Sequence, residues 1–149
     1  MSASIYTSLP WNNYYGFFSL IWYLLLVFGL YRTFEKAGEK GWKAIIPFYN
    51  LYICFQIGNR STYFLFWLGA TVLAVFFTWL SAFTLLFWTA IFAWILSLLA
   101  ALLLASMWYG VSVEFGHGLG FALGLIFLNP IFIMILGFGS SRYQGARYW

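Results

Sequence analysis

Long apolar runs make up most of this chain, and only short polar links separate them. The first run covers about residues 14–31, and another, from 64 to 113, contains neither a charged residue nor a proline. A transmembrane helix needs about 20 apolar residues, so the second run has the length of two helices joined by a tight connection. The pattern predicts spans at 14–31, 62–80 and 86–110, with that connection at residues 81–84.

The last apolar run, residues 119–138, predicts a fourth span with Asn129 and Pro130 inside it. Because proline removes a backbone donor, we expect this span to be kinked. Residues 44–58 are also apolar, but Pro47 and Asn50 interrupt them, and the segment is too short for a hydrocarbon core of about 30 Å. We expect it to be re-entrant or interfacial; the competing interpretation is a fifth, tilted span.

Composition determines the class of protein. Hydrophobic residues make up 64% of the chain and charged residues only 7%, whereas a soluble domain has about 25% charged residues. We therefore expect an all-α, polytopic transmembrane bundle of four spans plus the short segment, with residues 1–149 forming a single integral membrane domain and membrane lipids as partners. Residues 1–13, which contain Pro10 and Trp11, are expected to form an interfacial tail.

Seven of the ten charged side chains lie between residues 32 and 60. The basic residues that follow the first span are Arg32, Lys36, Lys40 and Lys43, and their excess predicts a cytoplasmic loop and an outside amino terminus. The net charge of +4 is thus interpreted as a topology signal and not as a nucleic-acid surface. Four spans leave two arginines outside and five leave only Arg60, so charge mildly favours five spans while segment length favours four.

Small residues recur at every fourth position in two places. They are Ala93, Ser97, Ala101 and Ala105 in the third predicted span, and Gly116, Gly120 and Gly124 at the start of the fourth. Such spacing lets two helix backbones approach closely, which is how helices gain packing energy in lipid. We expect the two stripes to face each other; another option is that one of them faces a second subunit.

Catalytic chemistry has few candidate residues. The chain has no aspartate, one histidine and one cysteine, so neither a Ser-His-Asp set nor a metal-binding cysteine cluster can form. Glu114-x-x-His117 matches half of a di-iron motif, but the only other carboxylates lie in the basic loop. We predict no enzyme activity and no cofactor. The polar or helix-breaking residues Pro47, Asn50, Asn129 and Pro130 are the candidates for a transport path.

Two separated motifs carry a family resemblance. Residues 36–50 read KAGEKGWKAIIPFYN, and residues 114–132 read EFGHGLGFALGLIFLNPIF, followed by LGFG at 136–139 and by Tyr143. Together they resemble a family of bacterial membrane domains of unknown function, although Asn129 departs from its more uniformly apolar pattern. A similar segment stands beside a signal peptidase I domain in some bacteria. The resemblance implies a helical module of the bacterial cytoplasmic membrane and supplies no catalytic residues.

Three functions follow from these features. The first is a non-catalytic accessory or scaffold subunit of a larger membrane complex, with other membrane subunits as partners. The alternative is a small oligomeric channel or transporter, in which the chain forms a homo-oligomer. The third, which rests on the family resemblance, is a membrane module associated with protein secretion or signal peptidase.

Overall fold

The computed structural model describes residues 11–84 and 87–145, with side chains for 16–83 and 87–145. Every regular element in these residues is helical, which confirms the all-α prediction. Of the predicted tail at residues 1–13, residues 1–10 lie outside the described residues, and residues 11–13 belong to the first helix instead of a tail. The elements are α1 (Trp11–Lys36), a 3-10 helix (Gly41–Ile45), α2 (Pro47–Ile57), α3 (Ser61–Thr84), α4 (Phe87–Glu114), α5 (Leu119–Phe127) and α6 (Asn129–Phe138).

Three of the described helices are long and apolar enough to cross a membrane, one fewer than the sequence predicts. They contain the segments Gly16–Lys36, Ser61–Phe83 and Phe87–Glu114. The predicted connection at residues 81–84 is wrong, because α3 continues through Thr84 and α4 begins at Phe87. None of these four residues is a glycine or proline, and the Ser81 hydroxyl donates to the Thr78 carbonyl within the helix.

The predicted fourth span, residues 119–138, is instead a hairpin of two short helices. The Phe121 and Phe132 rings lie 5.1 Å apart, whereas eleven residues of one continuous helix would separate them by about 16 Å. Beyond the helix ends, His117 Nε2 lies 2.8 Å from the Ser141 hydroxyl, and the Gln144 amide donates to the Glu114 carbonyl at 2.8 Å. The chain therefore enters and leaves this hairpin at the same end of the bundle.

A break at Leu128 explains the hairpin. Leu128 has φ −120° and ψ 45°, outside the helical region, and Pro130 lies in the first turn of α6, where a missing N–H costs no helical hydrogen bond. The Asn129 side-chain amide donates to the Leu125 carbonyl at 2.8 Å. Asn129 thus satisfies an end carbonyl of α5, and Pro130 occupies the first turn of α6, so the proline separates two helices here and does not kink a single one.

One end of the bundle carries all six basic residues among those described. The Lys36 ammonium donates to the Leu136 and Gly139 carbonyls, which joins the end of α1 to the end of α6. The end of α4 and the start of α3 lie beside each other at this same end, which we call the basic end. The six residues are Arg32, Lys36, Lys40, Lys43, Arg60 and Arg142.

The segment between α1 and α3 also leaves the basic end and returns to it. Its 3-10 helix runs along α1, where Gly41 packs on the Tyr31 ring and the Tyr23 hydroxyl donates to the Ile45 carbonyl. The chain then reverses into α2, and Gln56 reaches Glu39 at 3.5 Å. With 11 residues, α2 rises about 16 Å, so it does not form the fifth span considered above.

The core lies in the half of the bundle nearest the basic end. The largest fully buried apolar side chains come from five different helices and are Phe34, Ile53, Phe55, Met107, Leu125, Ile133 and Leu136. The opposite half consists of the first part of α1 and the α3–α4 pair, whose large apolar side chains, such as Phe17, Phe83 and Trp94, are exposed. Such a surface requires a hydrocarbon environment.

Candidate functional site

The small residues of α4 line an open crevice against α3. One part, of about 570 Å³, is bounded by Ser97, Ala100 and Ala101 on α4 and by Thr71 and Ala74 on α3. A second part, of about 360 Å³, continues past Thr78 toward Ala90 and Ala93. Ser97 and Thr78 border both parts, so the two form one shallow groove along the helix pair. We call it the small-residue groove.

The two predicted stripes do not pair with each other, which corrects that expectation. A Cβ added at Gly120 would meet nothing within 4 Å, and one at Gly124 would meet the Phe132 ring of α6. Gly116 lies in a turn with φ +76°. The physical reason is length: α5 has nine residues and rises about 14 Å, so it cannot follow α4 to Ala101 and Ala93. Ala105 is half-buried.

The two threonine hydroxyl groups of the groove are already satisfied. Thr71 donates to the Trp67 carbonyl at 2.8 Å, and Thr78 donates to the Ala74 carbonyl at 2.7 Å. The groove therefore offers a surface of small side chains without a free hydroxyl donor from these threonines. Such a surface favours close approach of another helix over binding of a polar solute.

The four helix-breaking candidates have local structural roles. Asn50 is buried, and its side-chain amide donates to the Ala44 carbonyl at 3.1 Å, while Pro47 starts α2. Asn129 and Pro130 form the corresponding break between α5 and α6. Both asparagine amides are thus occupied by backbone carbonyls, at two of the places where the chain reverses direction.

The remaining titratable groups do not form a reactive cluster. In the described part of the chain, no three His, Cys, Asp or Glu side chains are close enough to hold a metal ion. His117 stacks on Phe121 and bonds Ser141, away from any carboxylate partner. Burial raises the pKa of the Cys54 thiol to about 12, so this thiol stays protonated and unreactive at neutral pH.

The basic residues differ in what they contact. Arg32 pairs with Glu35 at 3.3 Å on an exposed face, and Lys43 pairs with Glu39 at 2.6 Å. The hydrogen bond from Lys43 to Glu39 raises the pKa of Lys43, so this pair persists until the pH rises above the ordinary lysine value. Lys36 instead caps the carboxyl end of α6. Lys40 is exposed and has no side-chain bond to a described residue.

Replacing Lys36 with glutamine should destabilise the bundle by about 1–2 kcal/mol, because a charged donor to two end carbonyls is lost at the negative end of a helix dipole. Lys40→Gln removes the same charge from the same end of the bundle and should change stability by less than about 0.5 kcal/mol. The free energy of unfolding in mixed micelles measures both. Equal effects of the two variants would show that only the positive charge at the basic end matters and not the bonds to α6.

Sequence reasoning missed two pairs of glycines that hold the helices together. Gly29 of α1 faces α6, where an added Cβ would lie 2.7 Å from Ile133 Cγ2, and a Cβ on Gly137 would lie 2.7 Å from the Gly29 carbonyl oxygen. Gly110 of α4 faces the Gly58 carbonyl at the end of α2. No four-residue spacing marks these glycines, since each pair joins distant parts of the chain.

Three helices of membrane-spanning length, a hairpin and a short returning segment define a small α-helical membrane protein. The chain belongs to the family of unknown function DUF5684, whose sequence model matches residues 42–146. That match covers most of the chain and confirms the resemblance to an uncharacterised family; it includes the second motif and residues 42–50 of the first. The comparisons with curated proteins and with solved structures each found no match.

Proposed function

We propose that this protein is a non-catalytic accessory or scaffold subunit that receives a transmembrane helix of a partner in the small-residue groove. The open groove between α3 and α4 is the observation that supports this function. If the groove served only internal packing, we would expect another helix of this chain to fill it, but α5 is too short to reach it. Small residues at membrane depth allow a partner backbone to come close.

The same proposal includes the topology. With three spans, the hairpin 119–138 and the returning segment 44–58, the proposed arrangement has the basic end in the cytoplasm and the amino terminus outside, in a bacterial cytoplasmic membrane. All six described basic residues then lie on one side, which satisfies the charge rule better than either the four-span or the five-span arrangement.

The channel or transporter alternative has less support. A transport path needs polar groups that face a cavity and exchange partners with a solute. Asn50 and Asn129, the candidates for that role, already donate to backbone carbonyls. Association with the secretion machinery depends on the family resemblance alone, and the identity of the partner in the groove would test it.

Photo-crosslinking in native membranes tests the scaffold proposal. A heterobifunctional maleimide–diazirine reagent is attached to Ser97→Cys in the groove and, as the matched control, to Leu98→Cys, whose position is exposed outside the groove. Cys54 need not be replaced, because burial raises its pKa and we expect the buried thiol not to react with the reagent. We expect a discrete protein adduct from position 97 and mainly lipid adducts from position 98.

Two results would contradict the proposal. Identical adduct patterns at both positions would show that the groove has no particular occupant. An adduct of twice the chain mass at position 97 would identify a second copy of this chain and favour the homo-oligomeric alternative.

A further inference from the structure

A second cavity, separate from the small-residue groove, opens at the basic end. It is a cleft of about 490 Å³ between the start of α3 and the end of α4. The residues that matter for its chemistry are Arg60 and Tyr63 on one side and Tyr109 and Glu114 on the other. Tyrosines at a helix end are typical of the membrane–water boundary, so the cleft faces the depth of lipid headgroups.

The cleft contains one positive and one negative group that do not neutralise each other. Glu114 and Arg60 are both half-buried, and neither side chain forms an ion pair or hydrogen bond with another described residue. The other two acidic residues of the chain, Glu35 and Glu39, are each paired with a neighbouring base. The Arg60 guanidinium lies over the Tyr63 ring, 5.5 Å from its centroid.

The backbone around the cleft is held by packing that is independent of these charges. Gly58 and Gly110 contact each other at its base, which fixes the start of α3 against α4. The backbone N–H of Arg60 donates to the backbone carbonyl of Phe55, and the backbone N–H of Gln144 donates to the backbone carbonyl of Glu114, both at 2.8 Å. The backbones that carry Arg60 and Glu114 are therefore fixed on opposite sides of the cleft.

We propose that this cleft binds a zwitterion that joins a phosphate to a primary ammonium group, as in the headgroup of phosphatidylethanolamine. Arg60 binds the phosphate through its planar fork of donors, and Glu114 accepts hydrogen bonds from the ammonium. A half-buried carboxylate is costly without a cationic partner, so a ligand that supplies one gains a charge-assisted hydrogen bond. This site does not depend on the proposed scaffold function.

Lipid titration of the purified full-length protein, followed by native mass spectrometry, tests the site. The first comparison needs no variant: phosphatidylethanolamine is compared with its N-acetyl derivative, which keeps the phosphate and the acyl chains but has no ammonium. We expect the parent lipid to bind about tenfold more tightly, the value of one charge-assisted hydrogen bond. Equal affinities would overturn the proposal.

Two variants test which residue binds which half of the ligand. Glu114→Gln should remove the preference for the free amine, whereas Arg60→Gln should weaken binding of both lipids by about tenfold. Glu35→Gln is the matched control, since it removes a carboxylate that is paired with Arg32 at the same end. Melting temperatures without lipid identify a variant that fails to fold, and the ligand comparison on the unchanged protein then decides the question.

Soluble glycerophosphoethanolamine distinguishes two sources of the same headgroup. Displacement of the lipid by this compound at an equal concentration would assign the cleft to a soluble zwitterion, and persistence of the lipid would assign it to the bilayer. Either result supports the site if the amine preference is present. A Glu114→Gln variant that folds and keeps the full preference for the amine contradicts it.

Discussion

Gly110→Ala should destabilise this protein by about 1–3 kcal/mol, although alanine is the better helix former by roughly 1 kcal/mol. The added methyl group would collide with the carbonyl oxygen of Gly58. Both groups belong to backbones in fixed elements, so neither can rotate away, and α2 would have to move off α4. Because buried Phe55 and Met107 lie close to this contact in the sequence, the shift should also loosen the core.

Gly69→Ala is the matched control for this substitution. Gly69 lies in the interior of α3, where an added Cβ would meet nothing within 4 Å. The gain in helix propensity is then unopposed, and we expect stabilisation of at most about 1 kcal/mol. Unfolding in mixed micelles should therefore shift in opposite directions for the two variants. A shift in the same direction would mean that the Gly58–Gly110 contact does not determine the packing of α2.

Apolar run length predicted the membrane class and the three long helices, because both depend only on local composition. The spans expected at 14–31 and 62–80 lie within α1 and α3, and the described part of the span expected at 86–110 lies within α4, which begins at Phe87 and ends at Glu114. The sequence prediction ends the first span at residue 31 because the charged residues Arg32, Glu35 and Lys36 follow it, whereas α1 continues to Lys36. A charged side chain at a helix end can reach polar surroundings or a neighbouring carbonyl, as Lys36 does, so charge alone does not stop a helix.

The hairpin at 119–138 could not be predicted from run length, because twenty apolar residues fit either one span or two half-length helices. The local signal was Asn129-Pro130, which was interpreted as a kink. Tertiary contacts decide between one span and two half-length helices: α6 packs along α1 through Gly29 and Gly137, and Lys36 caps the end of α6. These contacts join residues that are about a hundred positions apart, so no local pattern reveals them.

For the candidate sites as well, local sequence indicates which residues stand out, whereas their neighbours depend on the tertiary fold. Ala93, Ser97 and Ala101 were singled out correctly as small residues on one face, but their neighbour is α3 and an open groove, not the glycines of α5. Glu114 was noted only as half of a metal motif. Its partner in the cleft, Arg60, was treated as a topology signal, since the reversal of the chain that brings the two together depends on the packing of Gly58 against Gly110.

Cysteine labelling from one side of sealed membrane vesicles should give an all-or-none answer on topology. Gly118→Cys and Ser140→Cys flank the hairpin, Lys40→Cys marks the basic loop, and Ala82→Cys marks the opposite end. All four positions are exposed. Because the hairpin returns to the end at which it starts, an impermeant maleimide should label positions 40, 118 and 140 from one side and position 82 only from the other.

The comparison of positions 118 and 140 decides between one span and two half-length helices, since a continuous helix from 119 to 138 would place them about 30 Å apart on opposite faces of the membrane. The native Cys54 supplies an internal check, because its buried thiol with a pKa of about 12 should stay unlabelled in every variant. Labelling of 118 and 140 from opposite sides would restore the fourth span and would separate Arg142 from the other described basic residues. Labelling from the same side leaves every described positive charge on one face, and the charge rule then assigns that face to the cytoplasm.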